Sequence, residues 1–264
     1  MSDTTAILKY PGGKWRIADW IISHLPPHKV YLEPFFGSGG VFFKKEPSYL
    51  ETINDINGDI VNLFKVCRER QEELAQALEF TPWARDEYVN CKEITGNEVE
   101  RARRFLVRHH QSFGTTNSNL NTWRHSQSYN SPRCAEQWCK LPETVLKICE
   151  RLKMAQIENK SAFELIESFN NSDTLIYLDP PYLQRLRKRN MYKFEMTDKE
   201  HVELLALIKN SNSKICLSAY DNELYNEALK GWFTAEKKTT AQMGKIRTEK
   251  LYMNYQPNLL SFGG

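Results

Sequence analysis

The stretch TLIYLDPPYLQR, residues 174–185, sets a carboxylate, two prolines and an aromatic ring at the end of an apolar run. Residues 175–178 predict a strand buried on both faces. Asp179 then closes it with a charge, where Gly, Asn or Ser would be usual. In an open α/β sheet the carboxyl end of a strand borders the ligand crevice at the topological switch point. Pro180 and Pro181 lack N–H groups, so Pro180 offers only a carbonyl oxygen, held rigidly beside the Asp179 carboxylate. Two fixed acceptors match an –NH₂ group. Tyr182 adds a flat face, and stacking a base on such a ring contributes about 1–3 kcal/mol. The pattern suits a planar heterocycle held by its exocyclic amine. A cis-proline turn with a capping Asp is the structural alternative, and it leaves Tyr182 unexplained.

A second motif, EPFFGSGG at 33–40, puts glycines just past another predicted strand, where backbone can approach a ligand at a helix N-terminus. It is not a dinucleotide fingerprint, because the sixth position counted from Gly37 is Phe42. Nor is there a phosphate loop, since the GGK at 12–14 is followed by Trp15. An oxidoreductase with a pyrophosphate cofactor is thereby excluded. Asp55 follows at the end of the next strand, where an acid either accepts both hydroxyls of a ribose or caps the following helix.

The elements that must position these groups alternate. Strands are expected at 29–35, around 52–57, within AQIEN at 155–159, at 175–178 and within KICLSAY at 214–220. Two more are expected at 232–238 and 251–255, around a basic loop. Helices are expected at VFFKK, 58–80, 97–109, ETVLKICERL, SAFELIESF, 197–209 (capped by Thr197) and DNELYNEAL. Alternating strands and helices imply a doubly wound α/β sheet. Residues 65–151 break the alternation and predict a mainly helical insertion, leaving 1–64 and 152–264 as the sheet domain.

A chain of 264 residues accommodates this, and its net charge of +3 by itself predicts no particular partner. The mean conceals segregation. Residues 101–133 hold Arg101, Arg103, Arg104, Arg108, Arg124, Arg133, His109, His110 and His125 without one acid. Solvated faces usually mix signs, so this segment points to a polyanion. The six cysteines form no C-x-x-C pair and lack a suitably spaced His, so reduced thiols and no metal site are expected. No apolar run is long enough to span a membrane and the N-terminus has no leader pattern, so a cytoplasmic protein without membrane contact is expected. His24, His28 and His201 are expected to be surface or packing residues.

KYPGGK at 9–14, EPFFGSGG at 33–40, NDIN at 54–57 and DPPY at 179–182, in that order and with an insertion before the last, resemble the Dam-type (alpha-class) DNA adenine methyltransferases. The likeness spans nearly the whole chain and is loosest in the insertion. It implies a Rossmann-like sheet with helices on both faces, S-adenosylmethionine as donor with S-adenosylhomocysteine as product, and no metal. Tyr10, Lys14, Phe35, Gly37, Ser38, Gly39, Asp55, Phe163 and Asp179 are the donor contacts it implies, with Phe163 against the donor's adenine. Many relatives carry Asp just before that Phe, whereas here Ala162 stands there. Ser218-Ala219 likewise replaces a commoner Ser-Asn pair.

The expected chemistry is methylation of the exocyclic amine of an adenine in double-stranded DNA, with Asp179, Pro180 and Tyr182 as the catalytic set. Hydrogen bonds to Asp179 and the Pro180 carbonyl would localise the amine's lone pair and aim it at the methyl group. A paired amine is unavailable, so the base must leave the duplex. The insertion, residues 65–151, is then the target-recognition domain. Lys9, Arg108, Asn119, Asn121 and Arg124 are expected to read DNA, with Arg185, Arg187 and Lys188 gripping the backbone; a solvated polar surface would look similar. RNA adenine methylation and an inactive DNA-binding protein of the same fold are the rival readings. A separately acting restriction endonuclease would be a compatible partner.

Overall fold

The computed structural model describes residues 6–10, 12–93, 95–112, 123–125, 128–129, 133–184, 193–240 and 246–257. Strands β1 (Val30–Glu33), β2 (Leu50–Asn54), β3 (Ala155–Glu158), β4 (Thr174–Leu178) and β5 (Lys214–Tyr220) run parallel. β7 (Ile246–Met253) runs antiparallel between β5 and β6 (Phe233–Thr240), giving the order β3-β2-β1-β4-β5-β7-β6. The winding therefore reverses between β1 and β4, which opens the crevice at their carboxyl ends. This is the Rossmann-like α/β sheet.

Alternation along the central strands splits the core. Tyr31 and Tyr177 join a cluster with Phe36, Phe42 and Phe64 on one face, while Leu32, Ile176 and Leu178 join Leu204, Ile208 and Leu217 on the other. All five residues of β4 are buried, as a strand covered on both faces requires. The first face is covered by α2 (Gly40–Lys44), α3 (Gly58–Glu69) and the helices that follow: α4 (Gln71–Glu79), α5 (Arg85–Asn90), α6 (Glu98–Gln111), α7 (Cys134–Cys139) and α8 (Leu141–Leu152). The second is covered by α9 (Ala162–Ser168), α10 (Asp198–Lys209) and α11 (Glu223–Ala228). Helix α1 (Ala18–Ile22) precedes β1. Among the described residues no helix is long and apolar enough to cross a membrane.

Local chemistry sets the helix ends. Asn57 and Asn97 cap α3 and α6 by accepting from the N–H groups of Asp59 and Glu100, and Thr197 with Glu200 forms a full capping box on α10. The helix expected at 58–80 is two. Arg70 leaves helical geometry (φ −139°, ψ 38°), and its guanidinium folds onto Glu73 in the first turn of α4. Cys67 and Leu74 are seven residues apart, so the apolar period runs through the break and hides it. The short helices α1, α5 and α7 were not foreseen.

The inserted helices share one core with the sheet. Leu74, Leu78, Phe105, Trp138 and Val145 pack in the same cluster as Tyr31 and Phe42, and residues 64/65 and 151/152 fall inside α3 and α8. Glu51 on β2, 2 % exposed, ties the two parts: it accepts from Lys45 Nζ at 2.5 Å and from both terminal nitrogens of Arg151 on α8. The N-terminal segment is held likewise. His110 on α6 donates from Nε2 to the Ile7 carbonyl at 2.8 Å, and the His109 ring lies 6.2 Å from that of Tyr10.

Two variants test these contacts. Glu51→Ala leaves Lys45 and Arg151 without their shared partner, and urea unfolding should show a loss of about 3–5 kcal/mol. Gly39, the residue before α2, has φ +67°, and a Cβ there would lie 2.4 Å from Phe36 Cζ. Gly39→Ala should therefore lower the melting temperature by several degrees, through a loss of about 1–3 kcal/mol.

Candidate active site

The reversal between β1 and β4 gathers the loop after β1, Asp55 just beyond β2, and Asp179 just beyond β4. Between them lies a cavity of about 500 Å³. Tyr10, Lys14, Phe35, Gly37, Ser38, Asp55, Phe163 and Asp179 line it, whereas Gly39 stands behind it at the start of α2. At Gly37 the backbone has φ +52°, and a Cβ would meet the Tyr10 ring at 3.2 Å, so glycine lets the loop close onto that ring.

Asp179 is bound to the N-terminal segment. Lys14 Nζ donates to its Oδ1 and Oδ2 at 2.7 and 2.8 Å and to the Gly12 carbonyl at 2.9 Å. Lys14 is 6 % exposed. Burial works against its charge, but Asp179 and then Glu249 outweigh burial and raise its pKa. The Asp179 side chain keeps 19 % exposure. Burial pushes its pKa up to about 6 against the pull of Lys14, and the charge of Glu249 adds to the rise. Pro181 lines the cavity and Pro180 is buried beside it. No cis peptide occurs among the described residues, so the DPPY turn is not the cis-proline alternative.

Tyr182 departs from expectation. Its ring is buried rather than open, packed 4.3 Å from the Tyr220 ring centroid with the Lys14 ammonium 4.8 Å from its own. The cause is a partner on β7: the Tyr182 hydroxyl donates to Glu249 Oε1 at 2.6 Å. In this conformation the ring offers no free face to a base.

Asp55 does not cap α3, a role that falls to Asn57. Its Oδ2 accepts from the Gly37 N–H at 2.9 Å and its Oδ1 from the Asn57 N–H at 2.8 Å, fixing the glycine loop against β2. Burial still raises its pKa to about 6 despite those two bonds. Glu33, at the end of β1, also lines the cavity. It accepts from Tyr31 Oη at 2.7 Å, and burial lifts its pKa to about 8, partly offset by that bond and reinforced by Asp179. A signal was present: EP at 33–34 and DPP at 179–181 end adjacent strands in the same way. The far wall comes from Ile56 of the NDIN motif and from residues 193–196 with Glu200, which no motif marked. Lys193 and Arg101 both pair with Asp59, at 3.2 and 2.8 Å, and so hold that wall to α3 and α6.

The acid-free segment is less cationic than its composition. Arg101 pairs with Asp59, Arg103 with Glu87 and Glu100, and Arg104 with Glu100, so acids from outside the segment meet the arginines of α6. Arg108 Nη1 donates to the Cys91 carbonyl at 2.7 Å, spending part of that expected DNA contact on the fold. His109 and His110 are buried, which pushes their pKa values down to about 4 and 3 and makes them neutral. His24 and His201 are buried as well.

Arg124 differs: its side chain is half-buried, with no ion pair among the described residues. Its backbone is pinned, the N–H donating to the Gln111 carbonyl at 2.7 Å and the carbonyl accepting from Trp83 Nε1 at 2.9 Å. Lys9, bound to Gln137 Oε1 at 2.9 Å, has its pKa lowered by burial and then by Arg124, so two cations share this surface. Asn119, Asn121, Arg185, Arg187 and Lys188 lie outside the described residues. Among the described residues no group of three or more His, Cys, Asp or Glu side chains is placed to hold a metal ion.

Residues 10–243 match the D12 class N6 adenine-specific DNA methyltransferase family. The chain is 26% identical to a DNA adenine methylase of Salmonella typhimurium, over an alignment covering 100% of this chain and 92% of that protein. It is 24% identical to the type II methyltransferase M.MjaIII of Methanocaldococcus jannaschii, covering 94% of this chain and 98% of the relative. A shorter match, 37% identical over 98 residues, joins 36% of the chain to 32% of the DNA adenine methylase of Escherichia coli. With a match that runs from the Tyr10 segment through both motifs at the switch point, the chain belongs to the D12 class N6 adenine-specific DNA methyltransferases.

Proposed function

We propose that the chain methylates the exocyclic amine of an adenine everted from duplex DNA, with S-adenosylmethionine as donor. The observation that carries this reading is the Asp179 carboxylate, held by Lys14 in the switch-point crevice with Pro180 as the next residue. Family membership favours adenine methylation of DNA over the RNA and inactive alternatives.

The cavity fits that donor chemically. A molecule with sulfonium and ammonium charges, two ribose hydroxyls and a purine needs carboxylates, acceptors and an aromatic wall. Asp179, Asp55 and Phe163 supply them, and the glycine loop leaves room against Tyr10. Tyr10, Lys14, Phe35, Gly37, Ser38, Asp55, Phe163 and Asp179 would hold the donor, with Gly39 shaping the turn. When bound, it supplies an electrophilic methyl group on sulfur.

The chain's own groups do the rest by positioning and electrostatics. One Asp179 oxygen and the Pro180 carbonyl accept the amine's two hydrogens, which localises the nitrogen lone pair. Lys14 keeps Asp179 ionised at neutral pH while burial keeps it a strong acceptor. The hydrogen the amine gives up passes to Asp179, whose pKa of about 6 suits taking and then releasing it. Base eversion costs a few kcal/mol, which contacts to the flanking DNA must offset. The 65–151 insertion would supply them through Arg124, with Lys9 beside it, and the basic run at Arg185, Arg187 and Lys188 would follow the strand out of the site.

Asp179→Ala should lower kcat by about 10²–10³ while leaving DNA affinity nearly unchanged, measured by methyl incorporation into duplex DNA. A kcat close to that of the unaltered chain would defeat the two-acceptor arrangement. Because Asp179 must be ionised, kcat should rise with pH through about 6, and a profile flat from pH 5 to 8 would contradict its role. DNA affinity should fall steeply with salt, and Arg124→Ala should reduce that log–log slope by about one if the side chain meets a phosphate.

A further inference from the structure

Glu249 lies on β7 opposite Tyr220 of β5, outside every motif of the active site, yet its carboxylate is buried beneath the catalytic face. Its Oε1 accepts from Tyr182 Oη at 2.6 Å and from Ser218 Oγ at 2.5 Å. The same oxygen stands 3.7 Å from Lys14 Nζ. Lys14 has already placed its three hydrogens on Gly12 and Asp179, so its relation to Glu249 is one of charge rather than hydrogen bonding. One ammonium thus serves two carboxylates.

Burying a carboxylate is costly unless its surroundings compensate. A Gln, Thr or Ser could hold the Tyr182 hydroxyl without that cost. The acid therefore invites an explanation by its charge.

We propose that Glu249 is a positioning residue for methyl transfer: it anchors the Tyr182 ring beside Asp179 and shares Lys14 with it, so that the ammonium orients the amine-binding carboxylate without cancelling its charge. This rests on the role given to Asp179 above. A carboxylate fully neutralised by its own lysine would be a weak acceptor for the amine. The second negative charge restores the acceptor strength. Glu249 also explains why Tyr182 is packed: its hydroxyl donates to β7 while standing within hydrogen-bonding reach of Asp179, and the ring forms the floor under Lys14 and Asp179 instead of swinging free. Ser218, in the segment where Ser-Ala stands for a commoner Ser-Asn pair, then has a function as Glu249's second donor.

The test uses the full chain with Glu249→Gln, Tyr182→Phe, the double variant and Asp179→Asn, reading kcat, KM for donor and DNA, the pH dependence of kcat and the melting temperature. The groups facing Asp179 are Lys14, Glu249, Glu33, Tyr177, Tyr182, Tyr220 and, more remotely, Tyr225. Glu249→Gln keeps an acceptor for Tyr182 but removes one negative charge. It should lower kcat about tenfold or more with both KM values within about threefold, and move the acidic limb of kcat to lower pH. The effects of Glu249→Gln and Tyr182→Phe should be less than multiplicative, since the first weakens and the second removes the same charged contact. An unshifted acidic limb with unchanged kcat, or strictly multiplicative effects, would overturn the proposal. Should Glu249→Gln not fold, Tyr182→Phe alone decides: kcat reduced at constant KM supports the anchor, and unchanged kcat removes it. Failure of the underlying reading shows separately, as turnover surviving Asp179→Asn.

Discussion

Lys14 and Asp179 are separated by 165 residues, and their contacts at 2.7 and 2.8 Å join the N-terminal segment to the end of β4. Both groups are largely removed from water, and burying an ion costs several kcal/mol unless geometry and further hydrogen bonds compensate. Here they do: Lys14 has its three hydrogens placed, and Asp179 receives two of them. The pair closes one side of the crevice and sets which direction the carboxylate faces. The glycine loop, the Tyr10 ring and the DPPY turn are each arranged around that fixed point.

The cavity is dominated by acids in graded states. Asp55 and Asp179, with pKa values near 6, are charged at neutral pH, whereas Glu33, near 8, is largely protonated. Three full negative charges gathered at the ends of β1, β2 and β4 would repel one another. Neutralising Glu33 by burial leaves two charges at these strand ends and a protonated carboxyl that can still donate a hydrogen bond. Tyr177 belongs to the same wall, and its buried hydroxyl has no hydrogen-bond partner among the described residues.

Most of the sheet was legible because its strands announce themselves by apolar runs ending in charge or glycine. Residues 175–178 and 214–220 show this, and β4 and β5 fall there. The break at Arg70 was invisible because a seven-residue gap fits the helical period on either side of it. At the site, residues close to a strand end could be found from local pattern, as with Asp55, Asp179 and the loop at 37–39. Contacts set only by tertiary folding could not: Glu249 meets Tyr182 across 67 residues, and the 193–196 wall arrives from beyond the catalytic turn. The arginine count misled for the same reason. Composition within 101–133 cannot see Asp59 and Glu87, which fold back to pair with Arg101 and Arg103.

His110 gives its ring hydrogen to the Ile7 carbonyl, and His109 faces Tyr10 across the same junction. The segment from Ile7 to Tyr10 and the sixth helix are in that sense one part of the molecule, though Ile7 and His110 stand 103 residues apart in sequence. Swapping recognition modules between relatives at the obvious seams would separate them, leaving a buried imidazole with no acceptor and an aromatic ring at the crevice without its backing. A workable chimera has to inherit its opening segment from the same parent as its reader.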